Sequence, residues 1–375
     1  MNPRAAVAAL AVAIVVPVAG CDGQSTTGQP AAALTPYLRQ LVAQAQKEGE
    51  LDLIYASGDT TDEINAWRDG FNRYYGLSLN IVPDASPLMP ANATRVLQEY
   101  QAHRPASTDV YFGVSVFVLE LEQAGAALTG SLHDLPNVSG LTEDGDTTVR
   151  LAALPSGIMY NSDRVKGANV PHSLDDVLSE PSGIRIASSP YAGTLAALPE
   201  FRGVDQAITY AVHLSKKLKG LFGCGEESRL VTGEFDMFVT DCGDSAGRRL
   251  AAQGAPIAES FPTDGSVLNS WYLVIPRNAA HPAAARLWIN YLLSREAQDV
   301  LFKYDLVDNP SVSGSQLAAL ISADQAKGVM FRPSDMNAAR ADAPFAQAGT
   351  CVQAIINNQV SDPSCAPYRS VIAEA

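Results

Sequence analysis

The sequence of 375 residues has little basic charge, since 26 Lys and Arg residues stand against 40 Asp and Glu residues, for a formal charge of −14. The basic residues form no cluster, which excludes an electrostatic partner such as nucleic acid or an anionic membrane surface. Hydrophobic residues make up 47% of the chain and continue beyond residue 37, so global disorder is excluded too. The length allows about two to three domains, whereas the net charge says nothing about the charge of a small ligand.

Histidine is also scarce, and its positions argue against catalysis. The chain has five histidines, which lie in polar or turn contexts: His103, His133, His172, His213 and His281. Ser115 and Ser188 follow predicted strands, but no histidine stands beside either serine to act as its base. We therefore expect neither catalysis nor a cofactor. An exported enzyme and a ligand sensor built on the same fold are the alternatives.

Residues 1–20 have the organisation of an export signal. Arg4 supplies a basic start, and the apolar run over 5–16 is shorter than the roughly 20 residues that span a bilayer. The run V-A-G-C ending at Cys21 resembles the bacterial lipoprotein signal, which implies acylation of the Cys21 thiol and attachment to the outer face of the cell membrane. An ordinary secretory signal is the alternative. Residues 21–36 then predict a lipidated cysteine and a flexible tether.

The other four cysteines form an even set, as expected of a protein outside the reducing cytosol. Three pairings are possible, and two local bridges are the simplest of them: Cys224 with Cys242 and Cys351 with Cys365. A zinc site is the rival interpretation, but the spacings contain no C-x-x-C and no histidine lies near either pair. The sequence favours structural disulfides and no metal site.

Apolar residues alternate between helical and strand spacing along the exported body. A helical stripe over 36–49 precedes an apolar strand over 51–55, and another strand is predicted over 151–161. Ser189 suits an N-cap and Pro190 the first helical position, which predicts a helix beginning there. Alternating strands and helices indicate an α/β architecture with a largely parallel sheet.

Several phrases in the chain resemble the extracellular solute-binding proteins of ABC importers. More narrowly, they are similar to the branch that contains binders of ferric iron, phosphonate, thiamine and polyamines. The phrases run in family order across most of residues 37–305. They are Lys47-Glu48-Gly49, Leu53-Ile54-Tyr55-Ala56-Ser57, Gly157 to Asp163, Pro171 to Leu178, Gly233-Glu234, Gly254-Ala255-Pro256, and Ala283 to Gln298.

The resemblance implies an α/β, two-lobe periplasmic-binding-protein-like fold of type II, with the ligand cleft between the lobes. Lobe one would comprise residues 37–155 and 268–375, and lobe two residues 156–267. The implied function is that of a monomeric substrate-binding lipoprotein that captures a small organic solute for an importer permease in the membrane. A ferric-iron, polyamine or thiamine binder of the same fold is the alternative.

The candidate ligand-binding residues follow from the position of loops, because open α/β sheets bind ligands beyond the carboxyl ends of their strands. Two further candidates stand where members of the family cross between lobes, Tyr160 and Trp271. The loop candidates are Ser57, Gly58, Asp59 and Ser115 on one lobe, and Ser188, Ser189, Tyr191, Gly193, Thr194 and Asp244 on the other.

The chemistry of these loops favours an organic anion. Hydroxyls and backbone amides at a helix start suit a phosphate, phosphonate or carboxylate, although plain capping by Ser189 is the alternative. Asp59 is the candidate for contact with a cation. Ferric binders of the branch commonly use adjacent tyrosines shortly before the segment that matches 254–256, and residues 241–246 contain none. We therefore expect a phosphonate or a phosphate-ester-like ligand in preference to iron.

Overall fold

The structure is a computed structural model that describes residues 34–55, 61–86, 88–191, 193–341 and 343–375. The predicted signal peptide, Cys21 and most of the predicted tether lie outside the described residues, as do Ser57, Gly58 and Asp59. Within the described part of the chain, no helix is both long enough and apolar enough to cross a membrane.

The described residues form a mixed sequence of strands and helices. The strands are β1 Glu50–Tyr55, β2 Asn80–Ala85, β3 Tyr111–Val114, β4 Thr142–Glu143, β5 Thr148–Ser156, β6 Ile158–Asn161, β7 Ile186–Ser188, β8 Leu218–Leu221, β9 Met237–Val239, β10 Ile257–Ser260, β11 Val267–Val274 and β12 Arg332–Pro333. The helices are α1 Pro36–Glu48, α2 Thr61–Tyr75, α3 Met89–Gln101, α4 Ser115–Gln123, α5 Leu174–Ser179, α6 Gly193–Ala196, α7 Leu198–Arg202, α8 Val204–Lys217, α9 Ser228–Val231, α10 Ser245–Ala252, α11 Pro282–Leu292, α12 Arg295–Asp305, α13 Gln316–Gln325, α14 Met336–Ala341, α15 Ala343–Ile356 and α16 Arg369–Glu374.

Local signals explain where several helices begin and end. Thr35 Oγ1 accepts a hydrogen bond from the Leu38 N–H at 3.1 Å, so the predicted first helix is confirmed with a side-chain cap. It ends at Gly49, whose φ of 77° is the left-handed conformation that glycine adopts without a steric penalty. Ser294 caps α12 in the same way through the Ala297 N–H.

Two predicted elements are wrong in their extent. The strand expected over 151–161 is divided at Gly157, so that β5 and β6 belong to different sheets. A Cβ at Gly157 would lie 2.5 Å from the Ser260 carbonyl oxygen, which explains why only glycine fits at this close approach. The helix expected from Ser189 begins instead at Gly193, because the Ser189 hydroxyl accepts the Tyr191 N–H and forms a turn.

The first sheet, here called sheet one, combines the strands of both ends of the described chain. The strands β1 and β2 form a parallel pair of their own, and a single parallel bridge from Leu53 to Val110, the residue before β3, joins this pair to the other strands. The long strand β11 is antiparallel to both β3 and β5, while β4 pairs with β5 and β12 with the start of β11. The sheet is thus mixed, because β11 enters it from the opposite direction.

The second sheet, sheet two, has the order β10-β6-β9-β7-β8. The strands β7, β8 and β9 are parallel, and β6 is antiparallel to β9 and β10. One face packs on a buried cluster that includes Leu174, Ile208 and Val352, and the other face, which carries Met159 and Phe238, packs on Phe222 and Leu230. Helices or loops therefore cover both faces, as expected for parallel strands.

Within the described residues, two segments lead directly from a strand of one sheet to a strand of the other, one at Ser156–Gly157 between β5 and β6 and one at 261–266 between β10 and β11. Residues 343–375, which the sequence predicts to belong to lobe one, follow β12 and pack against the helices of sheet two: α15 contacts α6 and α8, and α16 contacts α8. The apolar side chains of α15, such as Val352 and Ile355, complete the core on that face of sheet two.

Candidate functional site

The carboxyl ends of β7, β8 and β9 meet at one edge of sheet two, because these strands are parallel neighbours. The segments 189–192, 222–227 and 240–244 follow these strands. The strand β5 ends at Ser156 and crosses to the same edge, where β6 begins beside the end of β9. The loops thus surround the point where the chain passes between the sheets, which is the usual place for a ligand in such folds.

The predicted hydroxyl residues are brought together at this edge, but their hydroxyls face the protein. Ser188, Ser189 and Thr194 are all at least 96% buried. The Ser188 hydroxyl donates to the Val239 carbonyl at 3.0 Å, and the Thr194 hydroxyl lies 2.9 Å from that of Ser156. These contacts tie the loop after β7 to the strand end of β9 and to the crossing at Ser156.

The loop after β9 holds the crossing through Asp241. Its carboxylate oxygen Oδ1 accepts the N–H groups of Gly243 at 2.8 Å and Gly157 at 3.3 Å. The Ser156 hydroxyl donates to the Asp241 carbonyl at 2.8 Å. The side chain and the backbone of Asp241 therefore hold Ser156 and Gly157, the two residues at which the chain passes from sheet one to sheet two.

Asp244, a predicted site residue, lies at the same place and connects the two halves. Its N–H donates to the Pro155 carbonyl at 2.8 Å, and its Oδ1 accepts Arg248 Nη2 at 3.0 Å. The same Arg248 nitrogen donates to the Leu306 carbonyl, at the end of α12, at 2.6 Å. Burial raises the pKa of Asp244 to about 6; Arg248 opposes the rise, whereas Asp241 adds to it.

Both predicted disulfides are confirmed, and one of them joins two of these loops. Cys224 follows β8 and Cys242 follows β9, and their Cα atoms are 5.8 Å apart. The strand β7 lies between β8 and β9, so this disulfide spans the end of β7. The second disulfide, Cys351–Cys365, joins α15 to the segment before α16.

The other predicted site residues take no part in the hydrogen bonds and the disulfide described above. Tyr191 is 56% exposed beside Gly223, which makes it the most accessible candidate at the sheet-two edge. Tyr160 packs in part against the core on the α8 face of sheet two. Trp271 stands at a bulge of β11 and contacts Phe112 edge to face on sheet one. Ser115, the first residue of α4, is buried.

The chain contains one G-x-S-x-G phrase, Gly243 to Gly247, between β9 and α10. In hydrolases this phrase places the serine on a strained turn. Here Ser245 is the first residue of a helix and does not have a positive φ, whereas Thr240 and Gly243 do. Among the described residues, which include all five histidines, no hydrogen bond joins a histidine to Ser245, and the phrase forms the end of a loop and the start of a helix.

A group of possible metal ligands lies far from the candidate site in the sequence and on other strands. Among the described residues, Asp52, Asp109 and His281 place ligand atoms within 4.8 Å of one another. His281 Nδ1 is 2.7 Å from Asp109 Oδ2, which also accepts the Asp52 N–H at 2.8 Å. Because these atoms bond to each other, the group serves to tie β1, β3 and α11 together.

Sequence reasoning missed Ser156, Gly157, Asp241, Arg248 and Glu259. The first two belong to the phrase Pro155-Ser156-Gly157, which interrupts the apolar run over 151–161 and is the one local signal that could have marked the crossing. Asp241 is the neighbour of Cys242, and a polar residue before a predicted disulfide gave no reason to expect contact with Ser156. Only the pairing of β6 with β9 and β10 brings these residues together.

Comparison with known proteins identifies one family that matches more than half of the chain. The family described as bacterial extracellular solute-binding protein matches residues 121–332. No curated protein sequence matches the chain.

Three solved structures illustrate the likeness in fold. The substrate-binding protein of an ABC transporter from Agrobacterium tumefaciens has 16% sequence identity and a TM-score of 0.65, with 82% of this chain and 97% of that chain covered. AfuA from Actinobacillus pleuropneumoniae with fructose-6-phosphate has 18% identity and a TM-score of 0.60, with 84% and 98% covered. Iron-bound HitA from Pseudomonas aeruginosa has 18% identity and a TM-score of 0.59, with 71% and 88% covered.

Proposed function

Because the chain belongs to the family of bacterial extracellular solute-binding proteins and has the two-lobe type II fold of periplasmic binding proteins, we propose that it captures a small organic anion. A phosphonate or a phosphate ester is the ligand class. The protein delivers this ligand to the permease of an ABC importer and acts as a monomer without catalysis. Residues 1–36 supply the export signal and the lipid anchor at Cys21.

The observation that carries this proposal is the convergence of three loops at the crossing between the sheets. The loops after β7, β8 and β9 share one edge, and Ser156 and Gly157 join that edge to sheet one. A ligand bound there contacts both halves, so binding favours their closure. Tyr191 is exposed at this edge and offers a ring and a hydroxyl.

The ligand class is supported by charge and by one of the similar structures. The carboxylates of the loop after β9 are engaged within the protein, since Asp241 accepts two backbone N–H groups and Asp244 bonds Arg248. The segment 241–246 contains no tyrosine for ferric iron. AfuA, whose structure contains a sugar phosphate, has the same fold.

A thermal-shift screen of the chain without residues 1–20 tests the ligand class. The compounds are fructose 6-phosphate, 2-aminoethylphosphonate, spermidine, thiamine and ferric citrate. A ligand at 100 times its dissociation constant adds about 2.7 kcal/mol to the free energy of unfolding. We expect stabilisation by a phosphate ester or a phosphonate; a selective response to spermidine, thiamine or iron would contradict the anionic class, and turnover of a bound compound would contradict the absence of catalysis.

Two variants locate the site and the anchor. Replacing Tyr191 with Ala should reduce the shift that the bound compound produces, whereas replacing Tyr37 on α1 should leave it unchanged.

Replacing Cys21 with Ser should move the protein from the membrane fraction to the soluble fraction. Continued tight attachment of that variant would contradict the lipoprotein assignment.

A further inference from the structure

Two carboxyl groups meet beside Gly157 without a basic partner. Glu259 stands on β10 opposite Met159, and its carboxyl and that of Asp241 both lie against Gly157. A Cβ at Gly157 would lie 3.3 Å from Glu259 Oε1, and the Gly157 N–H donates to Asp241 Oδ1 at 3.3 Å. Both carboxylate oxygens of Glu259 and Oδ2 of Asp241 are buried and have no hydrogen-bond donor among the described residues. Asp241 itself is 97% buried. Two ionised carboxylates cannot hydrogen-bond to each other, because both only accept. A proton on one of them provides the O–H group that donates to the other.

The surroundings assign that proton to Glu259. Asp241 Oδ1 already accepts two backbone N–H groups, from Gly157 and Gly243, whereas neither carboxyl oxygen of Glu259 has a hydrogen-bond partner among the described residues. Burial, followed by the charges of Asp241 and Asp244, raises the pKa of Glu259 well above its ordinary range, and Arg248 only partly opposes this. The pair therefore consists of a carboxylic acid that donates to a carboxylate.

The other charged groups near the pair come from three elements. Arg248 on α10 is engaged by Asp244 at 3.0 Å and by the Leu306 carbonyl at 2.6 Å, so it does not neutralise the pair fully. Tyr160 on β6 lies within electrostatic reach of Glu259. Asp324 of α13 acts on Asp244 and is itself bonded to Lys327 at 2.7 Å.

The position of the pair gives it a mechanical role. Asp241 belongs to the loop that holds the first crossing, through Ser156 and Gly157. Glu259 stands on the strand that leads into the second crossing, two residues before Phe261. A bond between their side chains thus links the two segments that connect sheet one to sheet two.

We propose that Asp241 and Glu259 form a proton-dependent lock between the two crossings of the chain. The shared proton holds the loop after β9 against β10 while the crossings are closely packed. Loss of the proton leaves two buried negative charges in contact, which repel each other and separate the loop from β10. The bonds from Asp241 to Ser156 and Gly157, and from Asp244 to Pro155, then weaken, and the two halves move more freely.

Solution scattering of the ligand-free chain without residues 1–20 tests the lock. We expect the radius of gyration of the wild type to increase as the pH rises above about 4.3, the ordinary pKa of a glutamate, and through the raised pKa of Glu259. The variant Glu259→Gln keeps an amide donor for Asp241 at every pH, so its radius should not change. Glu374→Gln, which alters an exposed glutamate at the end of α16, is the matched control and should behave as the wild type.

The unfolding equilibrium supplies a second measurement. Because the pKa of Glu259 is raised in the folded state, its contribution to stability is present below its ordinary pKa and is lost as the pH rises through the raised value. The folding equilibrium constant of the wild type should fall by up to tenfold per pH unit relative to that of Glu259→Gln. The variant Asp241→Asn removes one charge of the pair but leaves Glu259 buried, so it should reduce the same dependence without abolishing it.

Two outcomes of these measurements would contradict the proposed lock. A wild-type radius that is independent of pH would overturn the lock, and this holds even where a variant does not fold. A pH dependence of the radius that Glu259→Gln or Asp241→Asn retains in full would assign it to other groups. Because the experiment uses no ligand, its outcome is independent of the proposed ligand class.

Discussion

The two sheet regions of this protein use different means of stabilisation. The helices of sheet one meet in a cluster of six aromatic rings, from Trp67, Phe71, Tyr74, Tyr75, Trp288 and Tyr291. The strands of sheet one are tied by the pair Asp109–His281. The sheet-two region carries all four paired cysteines and is covered by α15. Large aromatic side chains bury enough surface to hold helices together, whereas short strands and four- or five-residue helices gain more from covalent links.

This difference bears on function, because the candidate loops belong mainly to sheet two. The strands β7 and β9 have three residues each, and α6 has four. Such short elements bury little surface, so the loops depend on their neighbours for a fixed conformation. The disulfide at Cys242 and the packing of α15 on α6 supply that support. The contrast predicts different responses of the two regions to substitution, reductant and pH.

The largest effect should follow from the aromatic cluster. Trp288 is 3% exposed, and its ring contacts those of Trp67, Phe71 and Tyr291. Replacing it with Ala should lower the free energy of unfolding by about 3–5 kcal/mol, because a cavity replaces the ring. Urea unfolding measures the loss. Leu320→Ala, at a site that is 41% exposed, should cost far less; equal losses would contradict the central role of the cluster.

The second prediction concerns the sheet-two region. Replacing Cys351 and Cys365 with Ser opens a loop with a sequence separation of 14, which should lower the free energy of unfolding by about 3 kcal/mol. Hydrogen exchange should quicken in α15 and α8 and stay slow in α11. Equal loss of protection in both regions would show that they unfold as one unit and would remove the contrast.

The third prediction concerns the pH dependence of stability that His281 gives to the region of sheet one. Burial tends to lower the pKa of His281, but its hydrogen bond to Asp109 and the charges of Asp109, Asp52 and Glu48 outweigh this, so the pKa is raised. The stabilisation is therefore full below about pH 6.5, the ordinary pKa, and is lost as the pH rises through the raised value. Replacing His281 with Asn should abolish this dependence, worth about 1 kcal/mol, in unfolding titrations; a dependence unchanged in the variant would exclude His281 as its origin.

The smallest effect should come from the brace between α15 and the candidate loop. Asn357 Nδ2 donates to the Pro190 carbonyl at 2.8 Å. Replacing it with Leu should cost about 1 kcal/mol and quicken hydrogen exchange at 189–196. Gln359→Ala, an exposed change two residues on, is the control and should alter neither quantity. If the loop keeps its protection in Asn357→Leu, the disulfide at Cys242 alone suffices to hold it.

Much of the secondary structure was readable from local pattern. The cap at Thr35, the turn at Gly49 and the strand β1 follow from residue types within a few positions of each other. The disulfide pairs were also predictable, since each joins cysteines that are close in the sequence. The helix caps and turns depend on residues close in the sequence, and the disulfides on an even number of cysteines. Both features can be read directly from a sequence.

The site was less readable, because its contacts join distant residues. Ser156 is 85 residues from Asp241, whose carbonyl it bonds, and the Leu306 carbonyl that Arg248 contacts is 58 residues away. The hydroxyls of Ser188 and Thr194 were expected to face a ligand, but the strand ends beside them supply protein partners instead. The Ser57–Asp59 candidates lie outside the described residues and stay predictions, as does the division into lobes.

Periodicity, the even number of cysteines and recurring phrases are properties of the linear chain, and they predict the alternation of strands and helices, the cysteine pairs and the family. The crossing between sheets at Gly157, the return of the C-terminal helices to sheet two and the meeting of Asp241 with Glu259 arise only in the folded chain. These outcomes depend on which strands become neighbours, and strand pairing is chosen by the burial of whole faces rather than by any single residue.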